Sequence, residues 1–380
     1  MTRPRVCFVS CEYHPDIGGV GKSARRIARF LNDAYDVELI APTFKLAPGD
    51  VVNTREDGYR VHRVGKGTDD LLTMADLRQV IERLDQQSRF SLFHGFYLTS
   101  AKPCLEVSHG RPVIASIRGS DAVSTREKPI WTEATDRIVE EATWVTSVAS
   151  DLLVRFERGR TRRAECSLLF NSIDLSRHAV RWRSDVNKGV VGTLANLRKK
   201  KNLPLLLAGY SKIDPSLRSE LLVVGGFGLD PALEDRLLTL AADLEIESEL
   251  TLFGEAPPRD VPTMFGKMYV FALTSDHDGM PNAMLEAAAA GVPIVTTAVG
   301  AIPDIMTNEE DGLIVPPGQP EALAEALSRV LSDPALASRL SLAARRLAER
   351  FDYSAERTQW LDLYQRLLRP SPSPSASSVN

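Results

Sequence analysis

Residues 268–297 read MYVFALTSDHDGMPNAMLEAAAAGVPIVTT. An apolar strand at 268–274 leads into a short polar loop, a helix follows from Pro281, and a second apolar strand occupies 293–297. Because strand, helix and strand in this order form a parallel βαβ unit, the stretch predicts a parallel sheet covered by helices. The loop between them is then expected at the carboxyl edge of the sheet, where ligands bind in open α/β folds.

The same alternation extends along nearly the whole chain. Further apolar, β-branched runs occur at 5–10, 36–41, 90–94, 112–117, 144–148, 189–192, 220–224 and 249–253. Helical patterns fill 21–33, 73–86, 319–331, 334–350 and 353–368. Because the series restarts near residue 189, we predict an α/β protein with two doubly wound, Rossmann-like domains that face a shared cleft. The first domain spans 1–186 and the second 187–352, and the low-complexity tail 369–380 is expected to be disordered.

Composition narrows the class of protein. The chain has 380 residues, 25% of them charged, and a net charge of −4, which argues against a nucleic-acid binder. The four cysteines, Cys7, Cys11, Cys104 and Cys166, show neither a CxxC pair nor zinc-ligand spacing, so we expect reduced thiols and no metal site. With no signal peptide and no apolar run of about 20 residues, a cytoplasmic location is expected.

A glycine-rich turn follows the first strand. Residues 16–23 read DIGGVGKS, which is close to a P-loop, but Asp16 stands where that motif requires glycine. The nucleoside-triphosphatase interpretation is therefore rejected. Gly19 and Val20, at the start of the next helix, still offer bare amides and a positive dipole end for a phosphate, unless the segment is a turn without a ligand.

The loop at 274–282 carries the clearest chemistry. Backbone amides at the helix N-terminus favour a bound anion. Glu286, more than one turn into the helix, can accept hydrogen bonds from the vicinal hydroxyls of a ribose, and Asp278 can bind the hydroxyls of a second ring. The residues at the helix start are Gly279, Met280, Pro281 and Asn282. This arrangement predicts a nucleotide-sugar site, with a solvated helix start as the alternative.

The segment resembles the E-x7-E signature of retaining glycosyltransferases of family 4, which have the GT-B fold. Asp278 replaces the first glutamate of that signature, and Glu286 matches the second. Other stretches resemble the same family in order: Gly18-Gly19-Val20, Asn171-Ser172-Ile173-Asp174, Leu222 to Gly226, Gly300 to Asp304, and Asp311 to Gly318. The resemblance covers residues 4–368 and implies that helix 353–368 packs back onto the first domain.

The resemblance also implies a basic pair that holds the donor diphosphate. Residues 196–202 read NLRKKKN and resemble a branch of the family that uses N-x-R-x-x-K, so these roles pass to Arg198 and Lys201. Two fixed cations would stabilise the negative charge of the departing diphosphate, so no metal ion or other cofactor is expected. The alternative for this run of basic residues is a solvated turn.

Three polar residues of the first domain are candidates for the acceptor or sugar side. His94 follows an apolar strand and resembles the histidine at the end of the family's fourth strand; a packing role is the alternative. Arg118 and Asp121 lie in a turn that resembles the family's H-G-S-D, with arginine in place of histidine. Arg118 cannot act as a base near neutral pH, and we expect it to bind an anionic group or to form a structural ion pair.

Lys22, Arg25, Arg26 and Arg29 share one face of the first helix by spacing. This stripe predicts peripheral contact with an anionic membrane, or else a solvated face. The sequence as a whole predicts a retaining, metal-independent glycosyltransferase that moves a sugar from a nucleoside diphosphate-sugar, UDP-linked by preference, to a hydroxyl of a glycan, lipid-linked or small-molecule acceptor. The alternatives are a nucleotide-sugar 2-epimerase of the same fold and a catalytically silent sugar-nucleotide binding protein.

Overall fold

The computed structural model describes residues 3–14, 16, 18–119, 121, 129–159, 164–177, 181–227 and 232–369. The described residues form two compact units. The first comprises those of Met1–Thr146, Glu157–Leu169 and Arg357–Asn380, and the second those of Ser147–Phe156 and Phe170–Glu356. Apart from Arg369, the tail predicted to be disordered lies outside the described residues.

The first unit is built on an eight-stranded sheet with the strand order β3-β4-β2-β1-β5-β6-β7-β8. Its strands are β1 (Arg5–Ser10), β2 (Asp36–Thr43), β3 (Val51–Glu56), β4 (Tyr59–Gly65), β5 (Leu92–Phe96), β6 (Val113–Ile117), β7 (Trp144–Ser147) and β8 (Glu165–Leu168). Neighbours from β4 to β6 pair in parallel. Because helices flank a parallel sheet, these central strands are apolar on both faces and almost wholly buried.

The strands β3 and β4 form an antiparallel hairpin that the sequence analysis did not predict. Its two-residue turn is Asp57-Gly58, with φ values of 48° and 91°. An Asp-Gly pair is among the sequences that such tight hairpin turns favour, since both positions need a positive φ. The hairpin extends the first sheet beyond the parallel strands that the apolar runs indicated.

The second unit contains a six-stranded parallel sheet with the order β11-β10-β9-β12-β13-β14. Its strands are β9 (Val190–Leu194), β10 (Glu220–Val224), β11 (Leu250–Gly254), β12 (Val270–Leu273), β13 (Ile294–Thr297) and β14 (Leu313–Val315). Both units have the doubly wound α/β organisation that the strand–helix alternation predicts, and that prediction is confirmed.

Helices connect the strands. Their ranges are Gly19–Asn32, Asp70–Gln87, Leu98–Ser108, Pro129–Glu141, Ser150–Glu157, Leu203–Ser211, Ala232–Asp243, Val261–Phe265, Asn282–Ala290, Ile302–Ile305, Pro320–Ser332, Pro334–Glu349 and Tyr353–Leu368, with 3-10 turns at Leu175–Arg177 and Lys199–Lys201. Trp360 and Tyr364 of the last helix are fully buried in the core of the first unit, together with Val6 and Phe8 of β1. These two side chains therefore anchor the helix Tyr353–Leu368 to the first unit.

Strand order fixes where a ligand can reach the second sheet. The chain leaves β9 toward β10 and β11 and later returns to the other side of β9 as β12. In open α/β sheets ligands bind where the direction of winding reverses, which here is beyond the carboxyl ends of β9 and β12. The loops at this position are 195–202 and 274–281.

Candidate anion and nucleotide-sugar site

The loops that follow β9 and β12 are hydrogen-bonded to each other through backbone and side-chain atoms. The Asp276 amide donates to the carbonyl oxygen of Lys200 at 2.9 Å, and the Thr274 hydroxyl donates to that of Lys201 at 3.1 Å. The Asn202 side-chain amide donates to an Asp276 carboxylate oxygen at 2.7 Å. These bonds fix the short 3-10 turn Lys199–Lys201 against the loop that carries Asp278.

Asn202 makes this arrangement possible because its backbone is left-handed, with φ 44° and ψ 54°. Asparagine tolerates that conformation better than most residues. Its side-chain oxygen also accepts from the Leu205 amide at 3.2 Å, which caps the helix Leu203–Ser211. One residue thus ends the basic turn, starts the next helix and holds the neighbouring loop.

Two lysines converge on Asp278. The Lys201 ammonium lies 2.5 Å from Oδ2 of Asp278, and the Lys200 ammonium lies 3.7 Å from Oδ1. The Gly279 amide also donates to Oδ1 at 2.9 Å. Burial alone would raise the pKa of Asp278, but Lys201, Lys200 and the Gly279 amide together lower it to about 2. The carboxylate is therefore ionised across the physiological pH range.

Arg198 adds a third positive charge beside this pair. Its Nε is buried and, within the described residues, has no hydrogen-bond partner. Burial lowers the pKa of Lys200, and repulsion from Lys201 and Arg198 acts in the same direction against the attraction of Asp278. A buried donor without an acceptor is costly, so an anion at this position would stabilise the group.

The helix start offers fewer amide donors than the sequence predicted. The helix begins at Asn282, with Pro281 at the N-cap position and no side-chain cap. Pro281 has no N–H, and that of Gly279 is already bonded to Asp278. Of the four predicted donors, Met280 and Asn282 are the ones that remain for a ligand. Oδ1 of Asn282 is buried and lacks a partner among the described residues.

Contacts within the second unit hold this loop from behind. The Asn171 side-chain amide donates to the Met280 carbonyl oxygen at 3.0 Å, and Met280 itself is buried. The Ala301 amide donates to the Gly279 carbonyl oxygen at 2.9 Å. Glu286 lies in the second turn of the helix and is partly exposed. The second unit therefore brings together Arg198, Lys201, Asp278 and the predicted loop, while the role of each in binding stays a prediction.

In the first unit, an acidic side chain already lies at the glycine-rich turn. The Gly21 amide donates to Oε1 of Glu12 at 2.9 Å, and a Cβ on Gly18 would overlap the same carboxylate. Gly19 is the first residue of the helix and is exposed, with Val20 partly buried. The dipole end that the sequence offered to a phosphate is thus covered by Glu12, a residue the sequence analysis missed. Its position two residues after β1 was the available signal.

His94 lies inside β5, not after it, and is fully buried. Its Nδ1 is 2.7 Å from the Tyr364 hydroxyl and its Nε2 is 2.7 Å from that of Ser116. Burial, with a contribution from Arg118, holds the pKa of His94 well below its usual value. Both ring nitrogens are engaged, which favours the packing role over contact with an acceptor.

Asp121 is also fully buried and accepts hydrogen bonds from three backbone amides. They come from the amides of Arg118, Gly119 and Leu98, at 2.7–3.1 Å. Burial raises the pKa of Asp121 above its usual value, although these amides act in the opposite direction. The Arg118 guanidinium is mostly buried and lies over the Phe96 ring, 4.4 Å from its centroid. Asp121 therefore shapes the turn; Ser120, between them in sequence, lies outside the described residues.

The basic stripe on the first helix is smaller than predicted. Arg26 is buried, with 9% of its surface exposed, and Arg25 is paired with Asp57 at 2.7 Å. Lys22 and Arg29 are the exposed cations of the four. The four residues share one face of the helix by spacing, but Arg26 belongs to the buried side, so the exposed part of the stripe is reduced. Contact with a membrane stays a prediction.

Neither a membrane-spanning helix nor a metal-binding group is found in the described ranges. No described helix is long and apolar enough to cross a bilayer. No cluster of three or more His, Cys, Asp and Glu side chains suited to a metal ion occurs there.

Two family models match the chain in sequence. The model described as Glycosyltransferase Family 4 matches residues 17–177, and the one described as Glycosyl transferases group 1 matches residues 176–347. Their junction coincides with the 3-10 turn Leu175–Arg177.

Curated relatives match about half of the chain. A D-inositol 3-phosphate glycosyltransferase of Saccharomonospora viridis is 30% identical over 182 residues, 47% of this chain and 42% of that protein. A putative colanic acid biosynthesis glycosyltransferase, WcaL, of Salmonella typhimurium is 29% identical over 187 residues, 46% of this chain and 44% of that protein. The matched region thus spans less than half the length of these relatives.

Solved structures share the fold over nearly the whole chain. Sucrose-phosphate synthase from Thermosynechococcus elongatus superposes with a TM-score of 0.84 at 20% identity, over 96% of this chain and 99% of that one. Anabaena Alr3699/HepE, solved in complex with UDP-glucose, gives 0.78 at 16% identity, over 95% and 99%. At these identities the likeness shows a common fold.

Proposed function

The chain belongs to the family 4 type of glycosyltransferases, and from this we propose that it transfers a sugar from a UDP-sugar to an acceptor hydroxyl, with retention at the anomeric carbon and without a metal ion. The expectation of a UDP-linked donor draws support from a structural neighbour that was solved with UDP-glucose. The expectation of a hydroxyl acceptor draws support from relatives named as acting on D-inositol 3-phosphate.

One observation carries the proposal: two lysines converge on a single carboxylate at the switch point of the second sheet, and Arg198 adds its charge near Lys200. Arg198 keeps a buried Nε without a partner there, and the Lys201 ammonium lies against Asp278. Transfer of the sugar leaves negative charge on the diphosphate. Cations already fixed at that position stabilise the charge as it develops, and they need no reorganisation during the reaction.

The carboxylates take different roles in this mechanism. Asp278, with its pKa lowered to about 2, stays ionised and cannot donate a proton to a leaving group near neutral pH. It can accept hydrogen bonds from sugar hydroxyls and holds Lys201 in place. Glu286 accepts from the ribose hydroxyls. Proton removal from the acceptor falls to a donor phosphate oxygen, as the family resemblance implies.

The experiment follows the fate of the sugar in a panel of nucleoside diphosphate-sugars, with and without EDTA. We expect UDP to be released when an acceptor is present, at a rate that EDTA does not change. NMR of the product should show the same anomeric configuration as in the donor sugar. Conversion of UDP-GlcNAc without acceptor would instead indicate the epimerase. Binding of UDP with no transfer to any acceptor would indicate the silent binder.

Two substitutions test the site itself. Glu286→Ala and Lys201→Ala should each remove most transfer, while Lys199→Ala, on the exposed side of the same turn, should retain it. Circular dichroism and thermal unfolding serve to check that the variants fold. Near-normal turnover of both site variants would overturn the proposed site.

A further inference from the structure

The turn Lys199–Lys201 presents its three lysines to different surroundings. The Lys199 side chain is exposed. By contrast, the Lys200 side chain is 24% exposed and that of Lys201 14%, and both ammonium groups lie within 4.0 Å of Asp278. We propose that Lys200 is a further diphosphate-binding cation beside Arg198 and Lys201, and that Asp278 is the internal counterion that holds both lysines ready for this anion. The inference rests on the proposed function of the site.

Backbone geometry holds Lys200 in this position. Its carbonyl oxygen accepts the Asp276 amide at 2.9 Å, so the residue is bonded to the loop that leads to Asp278. A lysine in a solvated turn would gain entropy by extending into water. Here the side chain instead folds toward a carboxylate that Lys201 already contacts more closely, and the arrangement costs desolvation of a second ammonium group.

The balance of charge around Arg198, Lys200 and Lys201 indicates that these side chains can hold a further anion. Among the described residues, Asp278 is the one carboxylate within 4.0 Å of either lysine ammonium. Within that distance, and among the described residues, the two positive charges of Lys200 and Lys201 face the single negative charge of Asp278, and Arg198 adds a third positive charge near Lys200. A diphosphate carries a charge on each phosphate and supplies several acceptor oxygens, so it matches this excess better than a single carboxylate or a neutral sugar does.

The surroundings of Lys200 also agree with an anion that arrives from outside. Burial lowers the pKa of this lysine, and its two cationic neighbours add to the effect. A bound diphosphate would offset both contributions, because an opposite charge nearby favours the charged form of the amine. The residue thus gains more from the ligand than a solvated lysine would.

Calorimetry on the whole chain tests the proposal with UDP, inorganic pyrophosphate and uridine as ligands, and GDP and ADP are added for the unchanged protein. We compare Lys200→Met with Lys199→Met, a matched loss of charge one residue away. We expect Lys200→Met to weaken the binding of UDP and of pyrophosphate about tenfold or more and to leave the affinity for uridine unchanged. It should also reduce the salt dependence of UDP binding. Lys199→Met should bind UDP, pyrophosphate and uridine as the unchanged protein does. Lys200→Arg should have most of the affinity that Lys200→Met loses.

Unfolding temperatures confirm that the variants are folded before binding is compared. If the unchanged protein binds UDP and Lys200→Met binds it equally well, the role of Lys200 is wrong while the proposed function stands. If the unchanged protein binds neither pyrophosphate nor any of UDP, GDP and ADP, both are overturned. If Lys199→Met and Lys200→Met weaken UDP binding equally, the effect comes from the net charge of the turn and not from a contact of Lys200. That result would also overturn the assignment of Lys200.

Discussion

Gly300 packs directly on the carbonyl oxygen of Gly279, so closely that a Cβ on Gly300 would overlap that atom. The backbone of Gly300 is also left-handed, with φ 57°. The adjoining Ala301 amide completes the contact by donating to the same oxygen at 2.9 Å. The turn after β13 therefore supports the loop that carries Asp278, although 20 residues of sequence separate the two glycines.

Gly300→Ala should displace the 278–282 loop. We expect it to weaken UDP binding at least fivefold and to lower the unfolding temperature, because the new methyl group meets backbone rather than a flexible side chain. Gly318→Ala is the matched control, since Gly318 has φ 72° and open space around its Cβ. It should cost about 1 kcal/mol from backbone strain without affecting UDP affinity, measured by calorimetry. Equal UDP affinity in both variants would contradict the supporting role of Gly300.

Asp278→Asn removes the carboxylate between the two lysines. We expect the unfolding free energy to fall by about 3 kcal/mol, because a half-buried ammonium loses its partner. UDP should then raise the unfolding temperature of the variant by more than it raises that of the unchanged protein, since the ligand supplies the missing negative charge. Sugar transfer should fall at least a hundredfold. Asp276→Asn, two residues away, serves as control for charge loss in the same loop.

The pH dependence follows from the lowered pKa of Asp278. The stability that comes from a carboxylate with a depressed pKa is fully present above its unfolded value of about 3.9 and is lost as the pH falls through about 2. The stability difference between Asp278→Asn and the unchanged protein should therefore be constant from pH 5 to 8. A difference that shrinks within that range would mean that the ion pair is not the source of stability.

The sequence predicted the local elements of the second unit well because each depends on neighbouring residues. Asp333 caps the helix Pro334–Glu349 as its position before a proline indicates, accepting from the amides of Ala335 and Leu336. The strands β9 to β13 also follow their apolar runs closely, whereas β14 had no predicted run. The pairing of Lys201 with Asp278 joins residues 77 apart, and no local pattern predicts which lysine of the run makes it.

Side chains at the border between core and surface were predicted less well. Helical spacing predicted that Arg26 lies on a basic face, but the buried side of the helix is wide enough to include this residue. His94 was predicted at the end of a strand, but the strand lies two residues further along the chain than its predicted bounds, and His94 is therefore inside it. The packing role, given only as the alternative, is the one that this position favours. In both cases the deciding fact is how far a neighbouring element extends, which depends on tertiary packing rather than on the order of residues.

Substitution of His94 should affect stability and its pH dependence rather than substrate contact. A buried histidine with a depressed pKa stays neutral while the unfolded chain takes up a proton below about pH 6.5, so stability falls as the pH falls through that value. His94→Gln should lower the unfolding free energy at pH 7.5 and flatten this slope between pH 7 and 5, by up to about 1.4 kcal/mol per pH unit. Exposed His14 provides the control, His14→Gln. An acceptor KM raised tenfold with unchanged stability would instead indicate direct contact.

Glu12 allows a test of whether the glycine-rich turn binds a phosphate. Its carboxylate accepts the Gly21 amide at the start of the helix Gly19–Asn32, in the position that Gly19 and Val20 were predicted to offer to a phosphate. A phosphate at this helix end would be repelled by the carboxylate. Glu12→Gln keeps an acceptor oxygen and removes the charge, so we expect UDP to bind several-fold more tightly, at a cost of about 0.5 kcal/mol in stability from the lost charge–dipole interaction.

The control for Glu12→Gln is Glu82→Gln, which removes one negative charge from an exposed helix of the same unit, where Glu82 pairs with Arg78 at 3.5 Å. Its UDP affinity should equal that of the unchanged protein in calorimetry at low and moderate salt. If Glu12→Gln also leaves UDP affinity unchanged at low salt, where charge repulsion is least screened, then no phosphate approaches the turn. Gly19 and Val20 would then be structural residues of the helix start, and the amides of Met280 and Asn282 would be the predicted donors that remain.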